Sequence, residues 1–519
     1  MTCTSLARGA IVLAGIGLAG GSAAQDFDIS SQIGPDPVLP EPNYVTLSPD
    51  MNVGEVIGWA EGETPDVPEG LVITAYATDL VNPRTVHTLP NGDVLVIQSK
   101  APEDKPKYRP KDYVRTWIMS MAAGGGAEGP EKATNLITLL RDPDRDGVVD
   151  ERYDLLTDLH SPFGVAWIDD TLYVAMADGV VAYPYTLGQT EITEAPELVT
   201  LLPGGPLNHH WTKDLALSPD GSMLYASVGS NSNVAENGME AEKGRAAIWE
   251  IDRESGRAKL FATGLRNPNG LMFHPETGVL WAVINERDEL GPNLVPDYLT
   301  SVVEDGFYGW PYSYFGMHVD ERVRPGRPDL VAAAIKPDYA LSSHVAALGL
   351  VFTHGAALPE EYLDGAFVGQ RGSWNRNEFN GYKVSFLPFR DGMPDGMLQD
   401  VVTGFLLPEE EKVRGRPVGL GLDGTGALLI ADDAGNTVWR VAAADGRVSD
   451  APFETDRVAV DPAAASAGQA APADGAAPVG EEAPAGEDVP AGEDVPAEPA
   501  PPAEPVAPAD PAAEPPAAD

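Results

Sequence analysis

The chain has 519 residues, with 79 acidic and 34 basic side chains and a formal net charge of −45 at pH 7. So acidic a chain excludes nucleic acid and anionic membrane surfaces as partners, because both carry the same sign of charge. Its one cysteine, Cys3, excludes an intrachain disulfide, a thiolate metal site and a Cys-x-x-Cys-His haem attachment.

Residues 1–24 read as a cleaved secretory signal. Arg8 supplies the positive start, residues 9–20 the apolar stretch, and Ser22-Ala23-Ala24 the small residues of a cleavage site. The apolar stretch is shorter than the roughly 20 residues that cross a bilayer. These features predict a periplasmic or secreted protein with no membrane span. Residues 25–65 are rich in Pro and Asp, and are expected to wrap the edge of a folded domain at 66–450.

Within that domain one phrase returns six times. A loop rich in Gly, Pro, Asn, Arg or His enters an apolar strand, a turn follows, and a second apolar strand comes back. The second strands read Asp93–Ile97, Thr171–Ala175, Ser222–Ala226, Gly278–Ala282, Gly365–Val368 and Gly426–Ile430. Turns such as Pro90-Asn91-Gly92 and Ser218-Pro219-Asp220-Gly221 precede several of them, with residues that tolerate positive φ. Repeated short strands at this spacing predict an all-β chain folded as a six-bladed β-propeller. That fold brings loops of equal phase together around one axis.

Three segments interrupt or follow the repeat. Residues 101–133 are an insertion, basic at Lys105 to Lys111 and Gly-rich at Gly124 to Gly126. Residues 287–345 read as a second excursion, between the fourth and fifth copies. From 451, and almost purely so from 461, the chain becomes an acidic tail of Ala, Pro, Gly, Val, Asp and Glu. A tail with no aromatic residue beyond Phe453 is predicted to stay disordered.

The loops entering the inner strands concentrate cations: Asn82-Pro83-Arg84, His160 to Gly164, Asn208 to Lys213, Arg266 to Gly270, and Arg414-Gly415-Arg416-Pro417. Gln370 to Arg376 adds further arginines. Guanidinium forks pair bidentately with carboxylates and phosphates, so the pattern predicts a ligand with several acidic groups. Arg414 and Arg416 alternate along an extended segment, which predicts side chains pointing the same way. His210 is the candidate proton acceptor, since imidazole titrates near neutrality. Asp142, Asp144 and Asp146, followed by Gly147, have the spacing of the first half of a calcium loop; Tyr153 stands where its bidentate Glu belongs.

Several of these stretches carry a family resemblance. Leu207-Asn-His-His-Trp-Thr-Lys-Asp214, Gly264-Leu-Arg-Asn-Pro-Asn-Gly270, Asn285-Glu-Arg-Asp-Glu-Leu-Gly-Pro292, Phe307-Tyr-Gly-Trp-Pro311 and Gly372-Ser-Trp-Asn-Arg376 resemble the soluble, pyrroloquinoline quinone (PQQ)-dependent sugar dehydrogenases, in particular their sorbosone dehydrogenase-like branch. The resemblance implies PQQ and Ca²⁺ as cofactors, a sugar as substrate, and a separate cytochrome or quinone as electron acceptor. It implies His210 as general base. Arg266, Asn267, Arg371, Arg414, Arg416 and His160 become cofactor contacts, and the carbonyls of Gly291 and Pro292 hold the active-site calcium. His209 stands where the better-known glucose dehydrogenases have an aspartate. Gln370 or Arg371 stands where they have a lysine. Two other readings of the fold are a calcium-dependent sugar lactonase, which needs carboxylates around an axial metal and fewer cations, and a non-catalytic propeller that binds a glycan or protein.

Overall fold

A computed structural model describes residues 27–44, 52–102, 135–205 and 207–449. The signal and the acidic tail lie outside the described residues, as does all but the first two residues of the insertion at 101–133. Among the described residues the regular structure is nearly all strand, with one short α-helix at Pro328–Ala333, and no helix is long and apolar enough to cross a membrane.

Six mainly antiparallel sheets of four or more strands dominate the fold. Their first strands are β1 (Pro83–Thr88), β2 (Val165–Ile168), β3 (Leu215–Leu217), β4 (Pro268–Phe273), β5 (Ala347–Phe352) and β6 (Pro417–Leu422). The second strands fall within one or two residues of the sequence expectation, for example Val94–Gln98 and Leu428–Asp432. They read as unbroken apolar runs because both faces are covered. Leu95 and Ile97 pack toward the β2 sheet, while Val94 and Val96 pack toward the β6 sheet. Alternation along a strand thus feeds two separate cores.

The same pattern repeats around the molecule. An apolar cluster joins each sheet to the next, such as Ile248 and Phe261 with Ala282 and Tyr298 between the β3 and β4 sheets. The last cluster returns from Leu429 and Val438 to the β1 sheet. Leu71–Ala77, early in the chain, is the outermost strand of the β6 sheet. It ties the start of the ring to its end.

The first strands surround an axial cavity of about 560 Å³, lined by Val86, Ala166, Ala216, Leu271, Leu350 and Leu420 among others. They approach so closely that glycine is required in places. A Cβ on Gly349 would stand 2.0 Å from the Val418 carbonyl oxygen.

One expectation is corrected. The segment 287–345 is not simply an excursion, since Pro296–Ser301 and Tyr339–Ser343 are strands of the β4 sheet. The polar and aromatic stretch between those strands masked them. The N-terminal segment does follow the domain edge where it is described. Ile33–Gly34 extends the β4 sheet, and Glu55–Val56 pairs in parallel with Lys412–Val413.

Candidate cofactor and active site

The first strand of every sheet starts at the same end of the ring, and every second strand finishes there. Arg84 and Arg416 precede or open first strands, while Arg371 and Asp433 follow second strands. The fold therefore gathers four residues that are far apart in sequence.

Arg84 Nη1 and Arg371 Nε both donate to Asp433 Oδ2, the latter at 2.7 Å. Arg416 completes the group, with its guanidinium 5.8 Å from the centre of the Tyr382 ring. Burial works to raise the Asp433 pKa, but Arg371, Arg84 and Arg416 together hold it below the usual carboxylate range. Burial, followed by the nearby Arg371, lowers the Arg416 pKa. Neighbouring Asp432 adds no free acceptor: its oxygens take hydrogen bonds from the Arg416 and Gly435 amides and from the Trp59 and Trp439 indoles. The Nε atoms of Arg84 and Arg416 are buried without a hydrogen-bond partner, and so is Asp433 Oδ1. Two guanidiniums sharing one carboxylate, with a third close by and donors unspent, is a donor set that fits a ligand bearing several carboxylates.

The cluster adjoins the His210 loop. The Arg84 guanidinium lies 5.6 Å from the Trp211 ring centre, and Trp211 meets Phe163 edge-on. His210 Nδ1 lies 2.8 Å from the Ser230 carbonyl oxygen and 3.0 Å from Ser230 Oγ. Ser230 Oγ donates its own proton to the Ser232 carbonyl at 2.7 Å. Both Ser230 atoms therefore accept from His210, which puts the ring proton on Nδ1 and the lone pair on Nε2. Gly229 makes this packing possible, since a Cβ there would lie 2.5 Å from His210 Cβ and 2.3 Å from Asn267 Oδ1. That Asn267 oxygen is buried and unpartnered. Lys213 is not a pocket cation. It is fully buried, donates to the Trp211 carbonyl at 3.3 Å, and burial holds its pKa well below the usual lysine value.

The remaining expected residues separate. Arg266 clasps backbone, donating to the Glu286 carbonyl at 2.6 Å and to the Asn233 carbonyl at 3.3 Å. Arg414 and Arg416 do not share a partner. The chain bends between them, and Arg414 Nη2 pairs with Glu63 at 2.9 Å beside Trp59. His160 is exposed and pairs with Asp178 at 3.1 Å. The Gly291 carbonyl accepts from His344 Nε2 at 3.2 Å, and the Pro292 carbonyl from Arg376 Nη1 at 2.6 Å. Two carbonyls already bonded to N–H donors, one of them a cation, do not fit a calcium ion.

Asp142, Asp144 and Asp146 do bring one oxygen each within 4.8 Å of one another. They lie in the hairpin between Leu136–Arg141 and Glu151–Leu156, at the opposite end of the ring from Arg84. The roles of Asp433, Ser230 and His344 were missed in the sequence. The one available signal was the Asp432-Asp433 pair closing an otherwise apolar strand, an expensive placement for two carboxylates.

A sequence profile of the TrAA12-like family matches residues 138–298 and 330–444, more than half of the chain. An uncharacterized protein of Borreliella burgdorferi is 27% identical over 299 residues, covering 56% of this chain and 77% of that protein. The holo form of the pyranose dehydrogenase PQQ domain from Coprinopsis cinerea has a TM-score of 0.59 at 17% identity, covering 75% of this chain and 100% of that one. The calcium structure of Carbohydrate-Active Enzymes Family AA12 from Trichoderma reesei also has a TM-score of 0.59 at 17% identity, covering 78% and 99%. These likenesses extend to the fold: an all-β ring whose profile match takes in strands of all six sheets, and by that match the chain belongs to the TrAA12-like family.

Proposed function

We propose that this protein is a PQQ-dependent sugar oxidoreductase built on a six-bladed propeller, each of the six sheets being one blade. One observation carries the reading. Arg84, Arg371 and Arg416 crowd around a single buried carboxylate, next to an imidazole whose tautomer is set for proton removal. The solved structure of a pyranose dehydrogenase PQQ domain in holo form supports it by fold.

PQQ, when bound, would supply the quinone that serves as hydride acceptor. The protein's part is to bind and orient. Arg371 and Arg416 hold carboxylates of the cofactor, with Arg84 keeping Asp433 in place between them. Asn267 offers its unpartnered oxygen to a ligand hydroxyl. His210 takes the sugar hydroxyl proton on Nε2, while the Ser230 carbonyl and hydroxyl stabilise the imidazolium that results. Arg266 keeps its contact role through the loop it clasps. Arg414 and His160 act from the rim, where a ligand has to displace Glu63 or Asp178 to reach them.

The substrate is an aldose or related sugar, on the sorbosone dehydrogenase-like pattern. Electrons pass to a separate cytochrome or quinone, and the signal at 1–24 exports the protein to the periplasm or beyond. Calcium binds at Asp142, Asp144 and Asp146, away from the chemistry. The lactonase reading lacks its metal cage: among the residues lining the axial cavity, Asp214 is the only carboxylate.

The test is a spectrum of the purified protein with PQQ. The quinone absorption is expected to shift on binding and to bleach when an aldose is added. Binding without bleaching by any aldose would remove the sugar, and no spectral change with PQQ would remove the cofactor.

A further inference from the structure

The Gly291–Pro292 carbonyl pair is the place where the resemblance puts a divalent cation, and the donors around it are already committed. A carbonyl oxygen has two lone pairs. At Pro292 both are used, by Arg376 Nη1 at 2.6 Å and Ser343 Oγ at 3.3 Å. The same Arg376 nitrogen also donates to Ser343 Oγ, which locks the three atoms into one cycle. Arg376 is 4% exposed, and its Nε donates to the Glu378 carbonyl at 3.2 Å. At Gly291 the donor is His344 Nε2, at 3.2 Å. His344 is fixed in turn by Asn375, whose amide nitrogen lies 3.0 Å from Nδ1.

Among the described residues, the carboxylate placed to balance a divalent charge is already engaged. Asp288 is the nearby acid, 3.9 Å from His344. Its Oδ1 accepts from Asn375 at 2.6 Å, and its Oδ2 faces Arg266 at 3.5 Å. A divalent ion on these carbonyls would have to enter beside a buried guanidinium, a repulsion that Asp288, already engaged by Asn375 and Arg266, offsets only in part.

We propose that Arg376 is the resident cation of this carbonyl pair, with His344 holding its second oxygen, so that cofactor binding in this pocket is metal-independent. The proposal rests on the PQQ reading only for its ligand. Arg376 then plays the part of a fixed positive charge, positioned before the ligand arrives and costing no reorganisation.

The experiment uses the full chain carrying D142N, D144N and D146N, so that the acidic loop adds no metal binding of its own. Calcium alone is titrated calorimetrically into this ligand-free protein. PQQ affinity is then measured by tryptophan quenching, in excess EDTA and in excess calcium. The expected result is no heat of calcium binding and the same PQQ affinity in both buffers. A calcium-binding event that survives the loop substitutions overturns the proposal, as does an affinity that rises about tenfold or more with calcium, roughly one charge-assisted hydrogen bond. Added R376Q is expected to weaken PQQ binding in EDTA by about tenfold or more, and R376K, which keeps the charge, to recover part of that loss. Unchanged affinity in a folded R376Q protein also overturns it. Should PQQ bind in neither buffer, the cofactor reading fails, while the calcium titration still decides for or against Arg376.

Discussion

At the scale of single residues, the chemistry rests on His210 and on what fixes its proton. H210A is expected to lower the rate of sugar-dependent PQQ reduction by roughly 10²–10⁴, the usual range for a lost general base. PQQ affinity should stay within a few-fold, and a variant turning over normally would remove the assignment. S230A makes a finer test. It deletes the hydroxyl but leaves the backbone carbonyl that also accepts from Nδ1 at 2.8 Å. The expected loss in turnover is therefore less than about tenfold, the net worth of one hydrogen bond. A loss as large as that of H210A would mean that the hydroxyl alone sets the tautomer. His210 was legible in the sequence because its loop shares the phase of the arginine loops. The partner of Arg84 was not. Asp433 lies 349 positions away, and only ring closure brings the two together. Arg414 and Arg416 misled for a local reason, since alternation assumes an extended chain and the segment bends there.

At the scale of elements, the second strands were readable because both of their faces are buried, which leaves unbroken apolar runs such as Val94 to Ile97 and Leu428 to Ala431. The third and fourth strands of the β4 sheet were hidden by the length of chain between them and by their own polar residues, such as Asp297 and Ser343. The fold also depends on close approach at the axis. In G349A, a methyl group would meet the Val418 carbonyl at 2.0 Å, in backbone that cannot yield as a flexible side chain would. The expected cost is about 1–3 kcal/mol or more, measured by denaturant unfolding. A neutral outcome would show that β5 and β6 can separate freely, against the tight inner ring described above.

For the whole molecule, stability is tied to pH through carboxylates buried where the sheets meet. Burial pushes Asp297 up to about 7 and Asp214 up to about 6. Asp297 accepts from the Glu286 and Ala346 amides, both at 2.7 Å, which only partly offsets its burial. A carboxyl pKa raised in the folded state means that the native protein holds a proton the unfolded chain has released. Its stabilising contribution is therefore fully present below about pH 4, the unfolded value, and is lost as pH rises through 7. D297N has no such proton. The wild-type protein should thus lose its margin over D297N as pH rises from about 5 to 8, followed by unfolding at fixed ionic strength. A margin that stays constant or widens would mean that Asp297 is already ionised at pH 5. The acidic charge of −45 leaves the guanidinium cluster as an exception within the molecule, and its occupancy is the central claim. The most direct measurement is an equilibrium titration of PQQ into the wild-type chain and into R371Q/R416Q, followed by tryptophan quenching with the melting temperature as a control for folding. The account predicts saturable one-to-one binding to the wild type, weakened by roughly 10²-fold or more in the double variant, since two charge-assisted contacts are lost. Equal affinity in the two proteins would contradict it.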